Sequence, residues 1–210
     1  MINDQIRIGV YGGTFAPVHN GHLAAARAFI DQMQLDILYV IPAAIPPHKQ
    51  IDASDDPKHR YRMCELAFWN DEKVLVSDME ITRGGKSYTV DTLRSLAAPD
   101  RRLFLLMGTD MVLTLDTWRE SDEIFKLCYP IYVRRERDPI LEARIVQKNK
   151  EYLEKHGKIA RRLMCDAIEL SSTEIRDLVA AGKPISHLVP PVVEQYIVKH
   201  GLYKEGGDAT

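Results

Sequence analysis

Short, unbroken apolar runs recur along this chain, each followed by a longer segment of helical period. That alternation limits the possible fold more than any other feature. Residues 6–11, 37–41, 74–79, 103–107 and 131–133 read as strands. A strand wet on one face alternates apolar and polar residues. Most of these runs do not alternate, which suits strands covered on both faces. Helical periodicity marks 23–33, 59–69, 89–96, 122–127, 141–156, 173–181 and 192–200. Together they predict an α/β fold: a Rossmann-like doubly wound parallel sheet with right-handed crossovers, flanking helices and a small helical C-terminal lobe. In such a sheet the segments leaving the carboxyl ends of the strands converge on one crevice.

The chain has 210 residues, a length that fits one domain over 1–203, with 204–210 as a frayed tail. Two stretches read as loops: 42–57, with four prolines and no helical period, and 185–191. The formal net charge is −2, so no global basic field draws the chain to nucleic acid or to a membrane surface. Cys64, Cys128 and Cys165 are odd in number and far apart, which favours a reducing, cytoplasmic setting over a disulfide framework. Residues 1–5 are mostly polar and lead into a strand, so no signal peptide is expected. No apolar run approaches the roughly 20 residues that span a bilayer.

Chemistry concentrates after the first strand. Gly12-Gly13-Thr14-Phe15 precedes His19-Asn20-Gly21-His22 at the mouth of an apolar helix. A helix N-terminus offers unpaired N–H donors and the positive end of its dipole, both of which favour phosphate. His19 and His22 are three apart, so on a helical first turn they face the same side. As a zinc pair they lack further ligands at a familiar spacing; as donors to phosphate oxygens they need none. The dinucleotide fingerprint G-x-G-x-x-G is missing, which disfavours a dehydrogenase. Glu80-Ile81-Thr82-Arg83-Gly84-Gly85-Lys86-Ser87 nearly matches a P-loop, but Glu80 stands where the first glycine belongs and would repel phosphate. The plainer reading is a glycine turn before a helix at Thr89.

Ser171-Ser172-Thr173-Glu174-Ile175-Arg176 combines an N-cap with hydroxyls and, one turn in, a guanidinium. With the first cradle it suits one triphosphate held between two helix N-termini. Trp118 follows Gly108-Thr109-Asp110 beyond a strand end, beside Arg119, and could wall a flat ring. Trp69 sits in an amphipathic helix and reads as core. His48 and Lys49 lie on the proline-rich loop; Arg134 and Arg135, at the end of the fifth strand, carry no assignment.

The motifs Gly12-Gly13-Thr14-Phe15-x-Pro17-x-His19-x-Gly21-His22 and Ser171-Ser172-Thr173-x-x-Arg176 resemble the two signatures of the H-x-G-H nucleotidyltransferase superfamily. Within it, Pro46-Pro47-His48-Lys49, Ser87-Tyr88-Thr89-x-Asp91-Thr92-Leu93, Gly108-Thr109-Asp110 and Trp118 resemble the bacterial nicotinate-nucleotide adenylyltransferases. The resemblance runs from about Ile6 to Tyr203. It departs at Ala16, where many members carry Asp, which removes a carboxylate near the nucleotide pocket. The resemblance implies adenylyl transfer from ATP to nicotinate mononucleotide, giving deamido-NAD and pyrophosphate, with Mg²⁺ arriving on ATP and no side chain assigned as its ligand. It implies catalytic roles for His19, His22 and Arg176. ATP contacts would come from Gly12, Gly13, Thr14, Phe15, Lys49, Gly108, Asp110, Ser171, Ser172 and Thr173. Nicotinate mononucleotide would meet Thr14, Tyr88, Thr89, Trp118 and Arg119. ATP and nicotinate mononucleotide are the expected partners, without nucleic acid or membrane; a homo-oligomer stays open. The competing readings are the same transfer to nicotinamide mononucleotide or phosphopantetheine, and a non-catalytic nucleotide sensor.

Overall fold

The computed structural model describes residues 5–46, 56–134, 138–165 and 170–204. β1 (Ile6–Gly13), β2 (Ile37–Pro42), β3 (Val74–Val76), β4 (Arg101–Gly108), β5 (Cys128–Val133) and β6 (Arg161–Leu163) form one sheet in the order β3-β2-β1-β4-β5-β6. Every pairing is parallel. Winding reverses between β1 and β4, so the segments leaving these two strands diverge and open a crevice at the sheet's carboxyl edge.

The helices are α1 (Asn20–Gln32), α2 (Pro57–Phe68), α3 (Met79–Arg83), α4 (Thr89–Leu96), α5 (Thr109–Thr114), α6 (Ser121–Leu127), α7 (Pro139–His156), α8 (Ser172–Ala180) and α9 (Pro191–His200). β4 shows why its apolar run is unbroken. Leu103, Leu105 and Met107 pack into one core with residues of α4, α6 and α7. Phe104 and Leu106 enter the opposite core with residues of α1, α2, α8 and α9. Successive side chains point to opposite faces, and both faces are covered. The close seating of α1 also depends on Gly9, where a Cβ would lie 2.4 Å from Leu35 and 2.9 Å from the Phe29 ring.

Two expectations are corrected, and one strand was not expected. The strand expected over 74–79 stops at Val76 because Ser77 and Asp78 turn the chain: Ser77 Oγ accepts from the Met79 N–H at 3.3 Å, and α3 starts there. β6 is an edge strand without an apolar run, since Arg161 and Arg162 are exposed and only Leu163 is buried. Trp69 is not core but 83% exposed. The stripe that α2 buries runs through Arg60, Met63, Cys64 and Phe68, and Trp69 lies about 100° round the helix from Phe68.

Candidate active site

β1 delivers Gly12 and Gly13 to the sheet's carboxyl edge, and the chain turns through Thr14 and Phe15, the latter at φ +51°. His19 is the N-cap of α1, in extended rather than helical conformation, and His22 is the third helical residue. The His19 N–H donates to His22 Nδ1 at 3.2 Å, and the two rings stack 3.7 Å apart at 30°. Phe15 meets the His22 ring edge-on at 4.9 Å. Both histidines are buried. Because Nδ1 of His22 accepts a hydrogen bond, its ring hydrogen sits on Nε2, which makes Nε2 a donor. Lone pairs of imidazole lie in the ring plane, so two face-to-face rings do not aim at one ion. Among the described residues no group of three or more His, Cys, Asp or Glu is arranged to hold a metal.

The second motif lands on the first. Ser171 caps α8, its Oγ accepting from the Glu174 N–H at 3.1 Å. Ser172 Oγ donates to the Pro17 carbonyl at 3.0 Å. Arg176 donates through Nη1 to the Ala16 carbonyl at 2.8 Å and through Nη2 to Thr173 Oγ1 at 3.2 Å. What Arg176 grips at position 16 is main chain, and the side chain there is buried. The start of α1 is also tied to the 185–191 loop: the Asn20 N–H reaches the Leu188 carbonyl at 2.9 Å and its side chain the His187 carbonyl at 3.1 Å.

Tyr11, His19 and His22 line a cleft with Val133, Arg134 and Leu170. Arg134 is mostly buried and ion-paired with Glu142. Thr109 Oγ1 donates to the Val133 carbonyl at 3.2 Å, which pins the N-terminus of α5 beside β5. Gly108 is the N-cap there and Asp110 is exposed in the first turn.

Beside the crevice, α4 begins at Tyr88, an N-cap with no side-chain hydrogen bond to the helix. The Arg119 guanidinium lies over the Tyr88 ring at 4.6 Å and reaches Asp91 at 3.8 Å. Trp118 is half-buried against the core that α4 shares. Gly84 and Gly85, at φ +70° and +68°, turn the chain after α3 at positive φ, which glycine adopts without strain. Glu80 is buried and accepts the Thr92 hydroxyl at 2.6 Å, so the P-loop look-alike is a helix, a turn and a buried carboxylate. His48, Lys49 and Arg135 lie outside the described residues. Burial pushes the Cys128 thiol up to about 12 and raises that of Cys64 further, so both stay protonated and neither is a nucleophile.

The sequence reading missed Arg60 and Asn20 and assigned nothing to Arg134. Arg60 is fully buried at the back of the loop that carries Thr14. A single polar residue inside an α2 stripe of Met63, Cys64 and Phe68 was the available signal.

A family model described as cytidylyltransferase-like matches residues 10–178. A protein of Thermoanaerobacter sp. (strain X514), described as a probable nicotinate-nucleotide adenylyltransferase, is 37% identical over 204 residues, covering 96% of each chain. One of Citrifermentans bemidjiense with the same description is 40% identical over 214 residues, covering 94% of this chain and 98% of its own. The structure of Plasmodium falciparum nicotinic acid mononucleotide adenylyltransferase complexed with APC superposes with a TM-score of 0.72 at 19% identity, over 95% of this chain and 98% of that one. Its complex with NaAD gives 0.70, again at 19% identity, over 94% and 97%. These two likenesses bear on the fold.

Proposed function

The chain belongs to the cytidylyltransferase-like family and, within it, to the nicotinate-nucleotide adenylyltransferases; from that membership we propose how its residues perform the reaction. The activity is adenylyl transfer from ATP to nicotinate mononucleotide, yielding deamido-NAD and pyrophosphate in NAD biosynthesis. The observation that carries the residue assignment is the meeting of the two motifs: Arg176 and Ser172 hold the carbonyls of Ala16 and Pro17 beside the stacked histidines.

The nucleophile is a phosphate monoester oxygen of nicotinate mononucleotide, already ionised at neutral pH, so no general base is required. It attacks the α-phosphorus, and the bond to the bridging oxygen breaks with loss of pyrophosphate. Catalysis is then positioning and charge stabilisation. His22 Nε2–H and His19 serve the α-phosphate oxygens, with Gly12, Gly13, Thr14, Phe15 and the α1 N-terminus around them. Ser171, Ser172, Thr173 and Arg176 receive the β- and γ-phosphates, with Lys49 as a further contact. Gly108 and Asp110 serve the nucleoside. Mg²⁺ brought with ATP would supply charge neutralisation on the triphosphate; no side chain is assigned as its ligand, and among the described residues no group of three or more His, Cys, Asp or Glu is arranged to hold a metal. Cys64 and Cys128 are buried free thiols, in keeping with a cytoplasmic reaction.

Acceptor selectivity falls to the α4 N-terminus. A nicotinate carboxylate at Tyr88 and Thr89 gains charge-assisted hydrogen bonds from helix N–H donors that a carboxamide does not match. Trp118 stacks on the pyridine ring and Arg119 closes the pocket. Replacing Trp118 with alanine is expected to raise KM for nicotinate mononucleotide roughly tenfold, about what one aromatic stack supplies, with KM for ATP unchanged. Initial rates at varied substrate settle it. The function itself is tested by pyrophosphate release from ATP and Mg²⁺ with nicotinate mononucleotide, nicotinamide mononucleotide or phosphopantetheine. Release with nicotinate mononucleotide far above the others is expected; preference for another acceptor would refute the pocket assignment, and silence with all three would favour a nucleotide sensor.

A further inference from the structure

Arg60 is a fully buried guanidinium in the first turn of α2, beneath the crevice rather than in it. Nη1 donates to the Thr14 carbonyl at 2.9 Å and to the Ala43 carbonyl at 2.7 Å, and Nη2 donates to the Ala44 carbonyl at 3.2 Å. One side chain thereby clasps the loop leaving β1 and the loop leaving β2. We infer that Arg60 is a positioning residue that sets the Thr14–Phe15 amide at the adenylyl-transfer centre and holds the ATP half of the site in register with the acceptor half. The inference rests on the adenylyl-transfer reading above.

Peptide planes transmit the constraint. In a trans peptide the carbonyl and the N–H point in opposite directions. Arg60 holds the Thr14 carbonyl inward, so the Phe15 N–H of the same peptide points away from α2. Phe15 sits at φ +51°, a conformation unfavourable for a bulky residue that surrounding contacts must enforce. The Ala43–Ala44 peptide shows the same rule with both ends occupied. Its carbonyl takes Arg60, and its N–H donates to Ser87 Oγ at 2.9 Å. The Ser87 N–H in turn donates to the Ile45 carbonyl at 2.9 Å, and Ser87 immediately precedes the Tyr88 N-cap of α4. A continuous set of hydrogen bonds therefore runs from the β1 loop through Arg60, Ala43–Ala44 and Ser87 to the start of α4. The two substrates approach along it from opposite ends. In-line transfer between them tolerates little misplacement, so a group that fixes both loops contributes to turnover without touching either substrate.

The experiment compares full-length wild type with Arg60→Lys, Arg60→Met and Ser87→Ala, reading thermal midpoint, kcat, KM for each substrate and calorimetric ATP affinity. An ammonium keeps the charge but lacks the planar fork that spans several carbonyls. Arg60→Lys is expected to raise both KM values and lower kcat, each by roughly tenfold, the worth of one or two charge-assisted hydrogen bonds, at temperatures well below its midpoint. Arg60→Met, where it folds, is expected to do more. Ser87→Ala is expected to raise KM for nicotinate mononucleotide about fivefold while leaving that for ATP within about twofold. A folded Arg60→Lys with wild-type kcat and both KM values unchanged would overturn the inference, leaving the guanidinium a purely structural clasp. Should neither Arg60 variant fold, Ser87→Ala decides, and an unchanged KM for nicotinate mononucleotide overturns it. Wild type that fails to release pyrophosphate sinks the adenylyl-transfer reading instead; calorimetric ATP affinity still compares wild type with Arg60→Lys, and equal affinities would then overturn the role of Arg60.

Discussion

His22→Ala is expected to lower kcat a hundred- to a thousandfold, the cost of one preorganised donor to charge that develops in the transition state, while the protein stays folded. The ring is held from several sides: His19 stacks on it at 3.7 Å, Phe15 meets it at 4.9 Å, and its Nδ1 takes the His19 N–H. Such support fixes where Nε2–H points before substrate arrives. A large loss on substitution therefore reads as lost transition-state stabilisation. Alanine also leaves the His19 N–H without that acceptor, a cost of about 1–2 kcal/mol, so a modest drop in midpoint accompanies the kinetic loss. His22→Gln separates the two effects. Glutamine three residues after an N-cap reaches back to the N-cap N–H as His22 does, but does not return the imidazole donor to its place. Its midpoint should lie closer to wild type and its kcat should stay low. Steady-state rates at saturating ATP and nicotinate mononucleotide decide: a kcat for His22→Ala within about threefold of wild type, under about 1 kcal/mol, would remove His22 from the mechanism.

The centre of the sheet was legible because burial on two faces leaves a trace no other arrangement explains: in β4, Leu103 through Met107 are apolar without a break, and the structure splits them between two cores. The edges were not. β3 keeps three residues of its expected run and β6 has a single buried side chain, so neither carries the double-sided pattern. The histidine pair was legible as a pair at a helix mouth, whereas its stacking and the capping hydrogen bond depend on His19 standing outside the helix in extended conformation. Tertiary context hid the rest. Arg60 lies among Lys58, His59, Tyr61 and Arg62, a polar stretch in which only its helical phase with Met63, Cys64 and Phe68 separates the buried cation from the solvated ones. Trp69 fails in the opposite direction, an aromatic whose helical phase carries it off the buried stripe. Both misreadings share one cause: which face of α2 is covered depends on α9 and the β1 loop, elements far away in sequence.

Arg176→Ala is expected to lower kcat/KM for ATP roughly a hundred- to a ten-thousandfold, from the loss of two charge-assisted hydrogen bonds worth about 1.5–3 kcal/mol each. The wild-type guanidinium already has one arm on the Ala16 carbonyl at 2.8 Å and another near Thr173 Oγ1 at 3.2 Å. The first contact joins α8 to the loop between β1 and α1; under the proposed assignment Arg176 both holds the shape of that loop and presents its remaining N–H donors toward the triphosphate. The two roles respond differently to lysine. An ammonium can still reach one carbonyl, which keeps the loop in place, but it cannot grip the loop and two phosphate oxygens in one plane. Arg176→Lys should therefore restore the thermal midpoint while recovering only part of kcat/KM. The β/γ assignment adds a sharper test, the affinity for AMP, which lacks those phosphates. Calorimetry should show ATP binding weakened far more than AMP binding in Arg176→Ala. Equal weakening would mean that Arg176 acts through the loop alone, and the triphosphate would then be held by Ser171, Ser172, Thr173 and the N-terminus of α8.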